Sequence, residues 1–113
     1  MKMICRAWRA EATNELADSY QNIALTKVIP SIEARKIHGF LHIDVLRRPL
    51  SQDKVEFMTL MWFDSAESIK AFVGEDSEAS YLPTDITELL ARYDLRAAHF
   101  EVVAQRPQKA SAT

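Results

Sequence analysis

The sequence predicts a single α+β domain with the element order β-α-β-β-α-β. Three observations carry that expectation. A strand-like run that passes straight into a capped helical pattern occurs twice, at residues 4–10 followed by Thr13 and at residues 55–63 followed by Asp64. Two apolar runs, residues 40–47 (FLHIDVLR) and 55–63 (VEFMTLMWF), are separated by the turn-like PLSQDK, the pattern of an antiparallel hairpin. The second of these runs is apolar on both faces beyond Glu56, which asks for cover on both sides.

Each element has a local reason. In the first strand, residues 4–10, the even positions Ile4, Arg6, Trp8 and Ala10 share a face. Thr13 is placed to cap a helix from Asn14, in which Leu16, Tyr20, Ile23, Ala24 and Val28 recur at three- and four-residue steps. Pro30 lacks a backbone donor, so the helix is expected to end or kink near Ile29, with a further turn over residues 32–35 before Gly39. In the second strand Leu41, Ile43 and Val45 alternate with Phe40, His42, Asp44 and Leu46. In the third, Phe57, Thr59 and Met61 oppose Met58, Leu60 and Trp62.

Asp64 and Glu67 have the spacing of a capping box for a helix that buries Ile69, Phe72 and Val73 and stops at Gly74. Residues 75–84 are irregular, residues 85–92 read as a short helix with Ile86, Leu89 and Leu90 inward, and residues 97–103 form the closing strand. This is the ferredoxin-like split arrangement, an antiparallel sheet with two helices on one face. The other face, expected to carry Trp8, Phe40, Leu46 and part of the third strand, is too apolar for a monomer. A second copy of the chain is the economical cover, so a homodimer is expected.

Composition narrows the partners. A chain of 113 residues supports one core, assigned to residues 1–103, with 104–113 (AQRPQKASAT lacking apolar periodicity) as a flexible tail. A net charge of −2 offers no general attraction to nucleic acid or an anionic membrane, and no apolar run approaches a membrane span. Arg47 and Arg48 read as solvated charges of the hairpin loop. The lone Cys5 excludes an internal disulfide and points to a reducing, cytoplasmic setting. Three scattered histidines give no metal-ligand spacing, and two glycines give no phosphate loop, so neither a metal nor a flavin or nicotinamide cofactor is expected.

At this point the residues resemble a known family. The ICRAW start, the VEFMTLMWFDSAESIKAF centre and the AAHFEV ending are similar to antibiotic biosynthesis monooxygenase-like domains of the dimeric α/β-barrel superfamily, over about Met3 to Val103. The resemblance implies two sheets facing each other across a dimer, with a pocket in each subunit between sheet and helices. It also implies a range of activities: cofactor-free oxygenases of aromatic polyketides, quinol oxygenases, haem-degrading enzymes and isomerases. Three departures argue against haem cleavage: no asparagine in the first strand, Phe72 where that branch has tryptophan, and no histidine in residues 76–82.

The candidates for chemistry are few. His42 and Asp44, two apart on a strand, leave from the same face with Cα atoms about 6.6 Å apart. Histidine titrates near pH 6.5, roughly, and is the most available general base at neutral pH. The structural alternative is a histidine topping a mixed face beside a solvated carboxylate. His99, which shares a face with Glu101, is the second candidate base or a structural histidine. Arg6 and Trp8 together suit an anionic planar ligand, or else Arg6 is a buried partner of Glu56, Asp44 or Glu101. Trp62, Phe72 and Tyr81 are core or the aromatic lining of a substrate pocket, with Tyr81 on a segment able to form a lid. The expected function is cofactor-independent monooxygenation of a small aromatic or quinol-like substrate. A non-catalytic or isomerase-like ligand-binding domain is the alternative.

Overall fold

The structure, a computed structural model, describes residues 2–109. Its elements are β1 (Ile4–Thr13), α1 (Asn14–Ile23), a π-helical turn (Ala24–Val28), α2 (Ile29–Ala34), β2 (Phe40–Pro49), β3 (Lys54–Phe63), α3 (Ala66–Val73), α4 (Thr84–Thr87), β4 (Arg92–Tyr93) and β5 (Ala98–Glu101). The sheet is antiparallel throughout, in the order β2-β3-β1, with β4 and β5 both pairing the far edge of β1. This is the ferredoxin-like α+β fold, with the expected last strand shortened to β5 and a two-residue strand, β4, added ahead of it. The expected tail falls partly on 110–113, outside the described residues, and 102–109 carries no regular secondary structure.

Helix packing decides which sheet face is core. Ala10 and Ala12 of β1 and Val55, Phe57, Met61 and Phe63 of β3 are buried with Ala17, Tyr20, Ile32, Ile69 and Phe72 from the helices. The Phe57/Thr59/Met61 row of β3 therefore faces the helices, and the Met58/Leu60/Trp62 row faces away. Trp8 and Phe40, expected on the uncovered side, instead pack against the core. For Trp8 the even positions of β1 turn to the helices together; for Phe40 a register shift between Phe40 and His42 changes the parity of β2. Leu41, in that bulge, is left 52% exposed.

The uncovered face is ordered in cross-strand rows. His42, Trp62, Cys5 and Phe100 form one; Asp44, Leu60, Ala7 and Ala98 the next; Leu46, Met58 and Arg9 a third. A charged row follows, in which Arg48 pairs with Glu56 at 2.6 Å and Arg92 with Glu11 at 3.7 Å. Arg47 and Arg48 thus belong to β2 rather than to the loop. Arg47 turns the other way, over the Phe57 ring and onto Asp18 at 2.8 Å.

Four details of the helices differ from the sequence expectation. Pro30 does not end the first helix: the backbone opens into the π turn, the Ile29 N–H reaches the Ala24 carbonyl, and α2 follows directly. A wider turn accommodates a ring that has no N–H to give to the preceding turn. At α3 the cap is Ser65, which accepts from the Ser68 N–H, while Asp64 accepts from Ser68 Oγ at 2.7 Å. Thr13, although extended, makes no side-chain cap; the Asn14 N–H is taken by the Asp53 carbonyl at 3.0 Å. Residues 85–92 form only the single turn of α4 and then β4, held by backbone pairing to β1.

Candidate functional site

Between the helix-facing side of the sheet and the helical layer lies an apolar cavity of about 60 Å³, within a recess of about 570 Å³ including its mouth. The sheet supplies Arg6, Trp8, Ile43, Val45, Thr59 and Met61 as its floor. Tyr20 of α1, Ala24 and Val28 of the π turn, and Ile29 and Ile32 of α2 form the roof. Phe72, Tyr81 and Ile86 close one side. Pro30 thus has a consequence for the site, because the turn it opens is part of the wall. The enclosed part is smaller than the ~150 Å³ that holds benzene, so an aromatic ring fits only by reaching into the mouth or by displacing a wall.

Arg6 is the one charged side chain in that lining and is only 3% exposed. It forms no ion pair with Glu56, Asp44 or Glu101. One terminal nitrogen donates to the Ser77 carbonyl at 2.6 Å, the other to the Ala79 carbonyl at 2.5 Å. These contacts pin the irregular segment after α3 to the sheet. The first nitrogen also meets His99 Nε2 at 3.0 Å. Arginine has only donors, so His99 must accept at Nε2 and carry its proton on Nδ1. Burial draws the Arg6 guanidinium down to about 10, against the opposing charge of Glu78. At neutral pH it is still a full cation, inside an apolar wall, with two of its five N–H groups left over.

His99 responds to the same surroundings. Burial first, and the Arg6 charge second, hold its imidazole below the ordinary value, with Glu78 opposing. It is therefore neutral at pH 7, consistent with the lone pair that Arg6 engages. The register that opposes Arg6 to His99 brings the two together across β1 and β5. Trp8, next on the same face, donates from Nε1 to the Asp94 carbonyl at 2.7 Å and to Ser80 Oγ at 3.1 Å, a second tie on the segment. Phe72 packs against Tyr81 in a tilted pair at 5.0 Å, and its ring centroid lies 5.5 Å from the Arg6 guanidinium.

Of the residues singled out by sequence, Arg6, Trp8, Phe72 and Tyr81 line the cavity, and His99 joins them through its contact with Arg6. His42, Asp44 and Trp62 lie on the opposite face of the sheet. There His42 Nε2 meets Asp44 Oδ1 at 3.0 Å and its ring packs edge-on to Trp62 at 5.2 Å. The His42 side chain is 60% exposed. The two histidines do not converge. Sequence reading passed over Tyr20 and Thr59 as lining residues of the cavity, and the carbonyls of Ser77 and Ala79 as partners of Arg6. The signal for the first two was a hydroxyl in each of two otherwise apolar rows; backbone partners leave no such signal. Among the described residues no group of three or more histidine, cysteine or acidic side chains could hold a metal, and no helix is long and apolar enough to cross a membrane.

Sheet order, helix placement and the cavity between them give the chain the fold of the antibiotic biosynthesis monooxygenase-type proteins. Solved structures superpose on nearly all of it. A candidate antibiotic biosynthesis monooxygenase from Bacillus cereus has a TM-score of 0.62 at 15% identity, covering 96% of this chain and 100% of its own. A dimeric ferredoxin-like protein from an uncultured marine organism gives 0.61 at 13%, covering 94% and 100%. SnoaB, a cofactor-independent oxygenase from Streptomyces nogalater, gives 0.56 at 11%, covering 95% and 97%. No protein-family model and no curated protein matches the sequence.

Proposed function

We propose that the chain is a cofactor-independent monooxygenase of a small hydroxyaromatic or quinol-like substrate, acting as a homodimer. The observation that carries this reading is Arg6, a buried cation without a carboxylate partner in the wall of an apolar cavity. Such a group stabilises an oxyanion that water would otherwise solvate. The substrate hydroxyl takes one Arg6 N–H, its proton passes to His99 Nε2 once Arg6 releases that lone pair, and the aryloxide delivers electrons to dioxygen. For a hydroxyarene with a free ring C–H para to the hydroxyl, one oxygen atom enters as a new carbonyl and the other leaves as water. The products are a quinone and water, with all four electrons drawn from the substrate. Phe72 and Trp8 supply flat apolar contacts to the ring, and Tyr81 adds a third aromatic wall from the irregular segment after α3.

Oxygen uptake by metal-stripped protein supplied with 1-naphthol tests this directly. Wild type is expected to consume one dioxygen per naphthoquinone formed. Arg6→Met is expected to lower the rate by roughly 100-fold, the scale of losing an oxyanion donor. No uptake, or equal uptake by a folded Arg6→Met variant, overturns the reading. Binding without turnover is the second reading. It is favoured by the His99 lone pair already held by Arg6, and naphthol binding with no oxygen consumption selects it.

A further inference from the structure

The enclosed cavity is smaller than a benzene ring needs, so the entry of a ring displaces a wall. Most walls are held. The floor belongs to the strand ladder, and the roof to the helical run from α1 through the π turn to α2. Ile86 is tied to that roof, because Lys27 of the π turn pairs with Asp85 of α4 at 2.8 Å. What remains is the Phe72–Tyr81 pair.

Behind that pair lies open space. A second recess, of about 640 Å³ and open to solvent, is lined by Phe72, Val73, Ser80, Tyr81, Leu82 and Pro83. Phe72 and Tyr81 border both the recess and the cavity, so their rings are the partition between the two. The recess at the β2 edge meets the cavity only at Ile43, which the ladder pairs with Met61.

The two rings of the partition are not held alike. Phe72, 5% exposed on α3, packs against Phe63 at 6.0 Å and has the guanidinium groups of Arg6 and Arg35 at 5.5 and 5.6 Å. Tyr81 sits on a short free span. On one side the Ser80 N–H is given to the Leu95 carbonyl at 3.2 Å, and on the other the Pro83 carbonyl accepts from the Ile86 N–H at 3.1 Å. Among the described residues, Tyr81 and Leu82 between them make no backbone–backbone hydrogen bond. Residues 77–80 are anchored by Arg6, by Trp8 and by the Ala79–Arg96 bridge, so the segment does not lift as one body. The freedom is confined to Tyr81 and Leu82.

We infer that Tyr81 is the size-selecting gate of the cavity. Its ring swings into the outer recess to admit a flat substrate, while Phe72 stays in place. This deepens the proposed function and rests on its premise that an aromatic ring enters the cavity; it adds the route of entry and the residue that sets the size limit. A single ring needs a smaller swing than two fused rings and enters faster.

Trp8 lines the cavity and Trp62 is the only other tryptophan, so the full chain carrying Trp62→Phe reports entry through Trp8 fluorescence. Stopped-flow quenching by nitrobenzene and by 1-nitronaphthalene compares one ring with two. Both probes are uncharged, so the readout needs no oxyanion at Arg6. With Tyr81 present, nitrobenzene is expected to associate about tenfold faster, since association slows when binding requires a conformational change. Tyr81→Ala is expected to bring the ratio of the two rates close to one. Tyr81→Trp, a larger gate, is expected to slow both probes, and it carries the test should Tyr81→Ala fail to fold. Equal rates with Tyr81 present, an unchanged ratio in Tyr81→Ala, or unslowed entry in Tyr81→Trp overturns the gate and leaves the Arg6 reading standing. Quenching by neither probe overturns the gate together with the premise of a ring in the cavity.

Discussion

At the scale of the residue, Arg6 organises the site. Sequence put it on a face with Trp8 and offered acidic partners for it; the fold gave it two carbonyls and a neutral histidine instead. Side-chain parity on a strand is legible, so the joint placement of Arg6 and Trp8 could be read. Carbonyl partners seventy residues away could not, because backbone groups carry no sequence identity. The Arg6–His99 contact makes a measurable prediction. Since the Arg6 charge is one of the influences lowering His99, Arg6→Met is expected to raise the His99 titration in a proton NMR series, and an unmoved midpoint would contradict the contact. His99 also leaves a mark on stability. Its folded pKa lies below the unfolded value, so the unfolded chain takes up the proton first as the solution is acidified. The His99 contribution is complete above pH 6.5, its ordinary value, and is lost as pH falls toward the folded value. Asp64 and Asp76, both held below the usual carboxylate range, lose theirs only at lower pH. Urea unfolding at pH 8 and pH 5.5 is expected to show a lower midpoint in acid for wild type. His99→Gln should flatten that difference, and an equally large difference in the variant would refute the assignment.

At the scale of the element, hydrophobic period and punctuation revealed most of the order. The β2–β3 hairpin, the α3 helix and its Gly74 stop follow from alternation, three-to-four spacing and a glycine at φ 96°. What escaped was set by contacts outside the segment. β4 is two residues long and exists through its pairing with β1; the cap moved to Ser65 because Asp64 is engaged with Ser68 Oγ and gives its own N–H to the Gly39 carbonyl at 2.8 Å. That junction between β2 and α3 explains Gly39, which combines φ 88° with a site where a Cβ would overlap Ser68 Oγ and Asp64 Oδ1. Gly74 has a similar φ and nothing within 4 Å. Gly74→Ala should therefore cost only the backbone strain, about 1–3 kcal/mol, and Gly39→Ala measurably more. Thermal or denaturant unfolding of the two variants checks the order, and Ser68→Ala should recover part of the Gly39→Ala loss. Equal losses would show that the overlap is relieved at no cost.

At the scale of the whole molecule, the two sheet faces divide the work. The helix side holds the cavity; the other side presents Met58, Leu60 and Trp62 with Phe100, which is 57% exposed, bounded by the charged row of Arg48, Glu56, Glu11 and Arg92. An apolar centre with a polar rim is the anatomy of a protein interface. Although Trp8 and Phe40 proved to be core, the remaining apolar rows still call for a covering partner, and His42 with Asp44 lies at that surface rather than in the cavity. Sedimentation equilibrium is expected to give twice the chain mass, and Leu60→Glu, at the centre of the patch, to give one chain mass with the fold intact. A wild-type monomer would contradict the interface without touching the cavity. The cavity is tested most directly by the titration of bound 4-nitrophenol, followed by its phenolate absorbance. Burial in an apolar wall alone would raise the pKa of the phenol, whereas an unpaired Arg6 lowers it. A bound pKa below the free value is expected in wild type and above it in Arg6→Met; a bound value at or above the free one in wild type would contradict an oxyanion site at Arg6.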